Sequence, residues 1–221
     1  MSSFVLKMIA CLSMLIDHAG VIFRADLPDI AYTVLRCLGR PAFVIFAFFI
    51  VEGFIRTRNR TAYALRLALF AILSEIPFDL MGSGSLMSFS GQNIFFTLLL
   101  GLLGMWGYET LKNRNLSYLG FLPMFAAAYA ANFLRTDYAA FGVVLIFVIY
   151  LFKENKMAQG IGVGVVTLVM MTGMRLQLFG FVGWLLCCAY NGKRGPKMTY
   201  FFYLFYPLHI LLLLLLREVL G

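Results

Sequence analysis

Lys7 and His18 lie in one apolar run, Leu6 to Phe23, with ten residues between them. At about 100° and 1.5 Å per helical residue, His18 returns to within about 20° of Lys7 and stands roughly 16 Å along the same stripe. A charged group in mid-bilayer costs about 2.5–3.5 kcal/mol or more, so residues of this kind face an interior cavity and mark candidate sites. The chemistry available to His18 is proton transfer, which needs an oriented ring, and a nearby carboxylate is the usual means of orienting it. Asp17 is adjacent in sequence but lies about a quarter turn away around the helix. Its expected direction is toward another helix, with Arg40 as partner, which leaves Glu75 or Asp79 as candidates to orient His18. The plainer reading of His18 is a structural polar contact.

A second group is basic. Arg56, Arg58 and Arg60 fall within five residues, and their guanidinium groups suit bidentate binding of phosphate oxygens. Topology alone also places basic residues in cytoplasmic turns, and Glu52, four residues before Arg56, competes for that side chain. Lys7, Arg40 and Arg66 add positive charge within apolar runs. A third group, Gln92, Asn93, Asp137, Tyr206 and His209, reads as substrate-side or structural polar residues; His209 follows Tyr203, Tyr206 and Pro207 in the last apolar run. Cys11, Cys37, Cys187 and Cys188 lack metal-ligand spacing, no metal site is expected, and neither a Gly-rich nucleotide loop nor a serine elbow is present.

The elements that must position these residues are membrane helices. Of 221 residues, 62% are hydrophobic and 13% charged, and the mean hydropathy is +0.89, outside the range of soluble globular domains. The expected fold is all-α: a polytopic helical membrane protein with about nine spans in one bundle and one domain, residues 1–221. The first run lacks a basic n-region and a small-residue cleavage site, so it is expected to remain as a span. The following runs are Gly39–Ile55, Ala62–Leu80, a fourth opening at Gln92, then Tyr118–Leu134, Tyr138–Phe152, Ala158–Thr172, Leu176–Tyr190 and a last one after Lys197. A short interfacial segment is expected before the second, and Pro77 is expected to kink or end the third. The net charge of +8 is a topological signature rather than a nucleic-acid footprint. The turns after spans two, four, six and eight carry ten Lys and Arg against six on the other side, which predicts a cytoplasmic N-terminus in an inner or cytoplasmic membrane.

Five ordered segments carry a resemblance: LKMIACLSMLIDHAG, the stretch from GRPAFVIF through IRTRNRTAYALRLALFAILSEIPFDL, QNIFFTLLLG, YNGKRG and FFYLFYPLH. Together they resemble the TraX family, named for a conjugation protein that acetylates the pilin N-terminus. That family is similar in turn to the transmembrane acyltransferases, including the acyltransferase-3 group, whose first helix carries a basic residue, ten intervening residues and a histidine. The resemblance implies an acetyl-CoA-dependent acetyltransferase with His18 at the reaction centre, Lys7 on the same face, and Arg56, Arg58 and Arg60 as candidates for the CoA phosphates. The implied acceptor is an amine or hydroxyl at the outer side, on a pilin-like protein or a cell-surface molecule. A reading from a different class is a proton-coupled transporter or channel built on the same ionisable residues.

Overall fold

Twenty consecutive helical residues, Ser3–Ile22, form α1 in the computed structural model, which describes residues 1–88, 90–173 and 175–220. Ser2 caps α1 by accepting a hydrogen bond from the Val5 amide, which satisfies one of the exposed donors of the first turn. The described residues are otherwise α2 (Asp29–Gly39), α3 (Pro41–Arg56), α4 (Arg60–Ser83), α5 (Ile94–Asn113), α6 (Leu122–Phe133), α7 (Ala139–Leu151), α8 (Lys156–Met170), α9 (Phe181–Cys188) and α10 (Thr199–Leu220), with three short 3-10 turns. An all-helical chain is what hydrocarbon demands, since each backbone amide must be satisfied within its own segment.

Among the described residues, four helices are long and apolar enough to cross a membrane: Ser3–Ile22, Asp29–Arg56, Ile94–Asn113 and Thr199–Leu220. Ala139–Leu151, Lys156–Met170 and Gln177–Cys188 are apolar but shorter, so the expectation of nine spans narrows to four of sufficient length and a set of shorter helices. Two boundaries differ from those read in the sequence. The segment before the second run is helical and joins α3 as one 28-residue stretch. Helix α4 continues past Pro77 to Ser83, because one missing amide donor is tolerated where the remaining turns keep their bonds.

The chain divides into two compact units: Met1–Phe46, Ile76–Met87 and Thr167–Gly221 form the first, Ala47–Glu75 and Ser88–Val166 the second. In the first unit, α2 turns back along α1. A Cβ on Gly39 would collide with the Asp17 side chain, so glycine is what lets the end of α2 approach this carboxylate. Ser13 Oγ donates to the carbonyls of Leu38 (2.5 Å) and Gly39 (3.1 Å), satisfying acceptors that the end of α2 leaves open. Ile30, Val34 and Leu38, spaced by four, are exposed on the other side of α2. Phe4 meets Phe202 edge to face at 6.0 Å and His18 meets His209, so α1 and α10 run parallel.

In the second unit, α5 packs closely on α6 and α7 through small residues. Gly101 faces Ile146, Gly104 faces Ala127 and Met124, and Gly107 faces Pro123. This close approach is the packing mode of helices in lipid, where dispersion rather than hydrophobic exclusion holds them together.

Candidate functional site

His18 and His209 are 191 positions apart in the chain and 2.7 Å apart in space, His18 Nδ1 to His209 Nε2. Their rings are within 5° of parallel with centres 4.9 Å apart. Because 2.7 Å is shorter than the thickness of a π system, the rings meet edge to edge through a hydrogen bond rather than face to face. The other nitrogen of His209, Nδ1, lies 2.6 Å from the Phe205 carbonyl. A carbonyl can only accept, so His209 carries its proton on Nδ1 and, when neutral, offers Nε2 as an acceptor. His18 must then donate from Nδ1. Its remaining nitrogen, Nε2, is left with an unshared pair, the state required of a base or a nucleophile. His209 is 4% exposed, whereas His18 is only partly buried. Tyr206 stands edge-on to both rings, with centres at 5.7 and 6.0 Å.

Asp17 points away from this pair, as its angular offset predicts. Its Oδ1 accepts from Arg40 at 2.5 Å and its Oδ2 from Arg36 at 2.5 Å. The three side chains are 10–22% exposed, and the group holds one negative against two positive charges beside the histidine pair. Arg40 is therefore the partner its sequence position suggested, and Arg36 is an addition. Lys7 faces the same helix as His18, its Nζ 5.5 Å from the centre of the Phe202 ring on α10. The shared stripe read from helical spacing is thus the α10-facing side of α1. A cavity of about 720 Å³ lies at the far ends of the two helices, lined by Phe23, Asp26, Leu80, Leu214, Arg217, Glu218 and Leu220.

Of the two carboxylates offered as partners for His18, Glu75 has a partner of its own. Glu75 Oε2 accepts from the Asn93 side chain, and Asn93 also donates to the Ala71 carbonyl at 2.7 Å and caps α5 through the Phe95 amide at 3.0 Å. Both residues belong to the second unit. Asp79 is in the first unit and is 4% exposed, and its carbonyl accepts from Ser83 Oγ at 2.9 Å. The group that meets His18 Nδ1 is an imidazole. Gln92 and Asp137 are joined through their backbones, Asp137 N to Gln92 O at 2.7 Å, and Thr97 Oγ1 donates to the Asp137 carbonyl.

The arginine turn also lies in the second unit. Arg56 pairs with Glu52 at 2.8 Å, the pairing their four-residue spacing predicts, and Arg60 pairs with Glu109 at 2.7 Å while covering the Phe54 ring at 4.1 Å. Arg58 is exposed, and Arg66 lies 5.8 Å from the Tyr63 ring centre. Among the described residues, no group of three His, Cys, Asp or Glu side chains has the arrangement of a metal site.

Sequence reasoning missed Arg36 and the partner of His209. Arg36 is one of the six basic residues of the less basic side, and its four-residue distance from Arg40 puts both on one face of a helix. The role of His209 had no local signal, because a partner 191 positions away leaves no spacing to read.

The family model described as TraX protein matches residues 2–217. This chain belongs to the TraX family. A relative, described as probable fimbrial assembly protein FimC, serogroup H1, of Dichelobacter nodosus, is 31% identical over 96% of this chain and 94% of its own length. No solved structure matches. The TraX-family match takes in both helices of the histidine pair, α1 and α10 up to Arg217.

Proposed function

We propose that this TraX-family protein is a membrane acetyltransferase that moves acetyl from acetyl-CoA to an amine or hydroxyl acceptor, with His18 as the base. The observation that carries this reading is the directed chain from the Phe205 carbonyl through His209 to His18, which leaves His18 Nε2 unprotonated. In the transfer, His18 Nε2 takes the proton of the acceptor as its nitrogen or oxygen attacks the thioester carbonyl. The C–S bond breaks, and the departing thiolate receives that proton from His18. His209 supports the imidazolium that forms, because its Nε2 accepts the hydrogen bond His18 donates. The guanidinium groups of Arg36 and Arg40 stabilise the oxyanion of the tetrahedral intermediate.

The same unshared pair serves a relay. His18 Nε2 attacks the thioester, thiolate leaves, and the Nδ1 proton passes to His209 Nε2, so the acetylated ring stays neutral; when the acceptor displaces it, His209 returns that proton to Nδ1 and the proton lost by the acceptor balances the one the thiolate takes up.

The donor comes from the cytoplasm and the acceptor from the outer side, consistent with a cytoplasmic N-terminus in the inner or cytoplasmic membrane. The cavity at the far ends of α1 and α10 lies on the acceptor side of this scheme. The fimbrial description of the D. nodosus relative supports a pilin-type subunit as acceptor. The test is mass spectrometry of the subunit from cells expressing the wild type or His18→Ala, beside acetyl-CoA hydrolysis by the purified protein. Loss of both in His18→Ala is expected. Full acetylation by that variant removes His18 from the centre, and an absence of acetyl-CoA turnover with retained proton flux turns the reading to transport.

A further inference from the structure

The basic turn between α9 and α10 is bonded to the start of α1 rather than left as a loose loop. The Lys193 carbonyl accepts from the Ser3 amide at 2.9 Å, and the Arg194 carbonyl accepts from the Phe4 amide at 3.2 Å and from Ser3 Oγ at 2.7 Å. The Asn191 amide donates to the Met1 carbonyl at 2.9 Å. Gly195, at φ +72°, is required here twice over, since its backbone is left-handed and a Cβ would press on Phe4 and Ser2. With their carbonyls committed to α1, Lys193, Arg194 and Lys197 remain exposed at the end from which α1 and α10 both start. Arg194 folds over the first residue of α10, its Nη2 3.3 Å from Thr199 Oγ1.

Charge at this end is one-sided. Residues 1–16 and 155–216 contain no Asp or Glu, and neither helix has an acid in its first turn. Parallel packing also brings the two helices' amino ends together, each carrying about half a positive charge. A guanidinium at such an end is unfavourable unless an anion joins it. Lys7, one turn further in, extends the positive field to the stripe that runs roughly 16 Å to His18. A ligand that fits has an anionic head and a long uncharged arm ending in the reactive group.

We propose that Lys193, Arg194 and Lys197, with Lys7 behind them, bind the phosphates of the acyl donor, whose uncharged arm follows the Lys7–His18 stripe. This rests on the acetyltransferase reading and places the phosphate site in the same unit as the histidine pair. The arginines of the turn at 56–60 offer less charge, because Glu52 and Glu109 offset two of the three.

The test uses the full chain in phosphatidylcholine nanodiscs, with CoA and adenosine 3′,5′-bisphosphate as binding probes. The triple variant Lys193→Ala, Arg194→Ala, Lys197→Ala is expected to weaken both at least tenfold and to flatten their salt dependence. Turnover of S-acetylpantetheine, which has no phosphate, is expected to stay at the wild-type level and so certifies the fold. The conservative variant Lys193→Arg, Arg194→Lys is expected to restore binding. Wild-type affinity for both probes in the triple variant overturns the proposal. So does a loss confined to binding of phosphatidylglycerol vesicles, which assigns the cluster to lipid headgroups. A wild type that binds both probes through these residues yet transfers no acetyl group overturns the enzymatic reading alone. Normal transfer with an unchanged KM for acetyl-CoA in the triple variant overturns the phosphate site alone.

Discussion

The polar residues of the two units are used differently. In the second, three carboxylates each have a partner close by: Glu52 with Arg56, Glu109 with Arg60, Glu75 with Asn93. In the first, the arrangement leaves something over. One carboxylate faces two guanidinium groups, a histidine pair ends in an unshared electron pair, and a basic turn faces a pair of helix starts without an acid. Matched groups in an apolar bundle hold helices together at little net gain, since desolvation offsets much of their attraction. Two guanidinium groups on one carboxylate and an imidazole with an unshared pair can take up an anion or a proton, which is the character expected of the proposed reaction centre.

Substitutions can break this comparison. The largest effect is expected from Asp17→Asn, which takes the carboxylate charge from buried Arg40 and half-buried Arg36. A loss of about 3–5 kcal/mol follows from leaving a buried charge uncompensated. Thermal unfolding in nanodiscs reads it as a lowered midpoint, and an unchanged midpoint means the arginines have other partners.

His209→Ala comes next. It removes a hydrogen bond that becomes charge-assisted once His18 is protonated, worth about 1.5–3 kcal/mol, and so lowers kcat roughly ten- to a hundredfold. KM for the donor is expected to hold, because His209 supports His18 rather than the substrate. A change in KM with constant kcat gives His209 a binding role instead.

In the second unit the expected losses are of stability alone. Asn93→Ala takes the donor from Glu75 and from the Ala71 carbonyl and the cap from α5, at about 1–3 kcal/mol. Specific activity per folded molecule is expected to stay within twofold, and a larger fall draws Glu75 into the chemistry. Arg56→Ala is the smallest, below about 1 kcal/mol, because its side chain is 54% exposed and the pair is screened by water. A heavy loss of acetyl-CoA binding in this variant alone moves the donor's phosphates to the arginine turn.

Length and polarity were enough to place most helices, because an apolar run bounded by turn residues has few alternatives to a helix in lipid. The exceptions are instructive. The segment Asp29–Gly39 reads as a short interfacial segment because Asp29, Arg36 and Gly39 dilute its hydropathy, yet its apolar residues Ile30, Val34 and Leu38 recur every four positions and mark a full helix. Pro77 signals a break that the helix does not make.

Sequence by itself determined the stripe of Lys7 and His18, the divergence of Asp17 from it, and the Glu52–Arg56 pair, since all three follow from helical periodicity within one element. Tertiary structure decided the rest. His18 finds an imidazole rather than a carboxylate because α10 returns parallel to α1 and presents His209 at hydrogen-bonding distance. Asp17 gains Arg36 as well as Arg40 because Gly39 allows α2 to close on α1. Side chains far apart in a chain have no local rule that pairs them, and packing alone sets which nitrogen meets which.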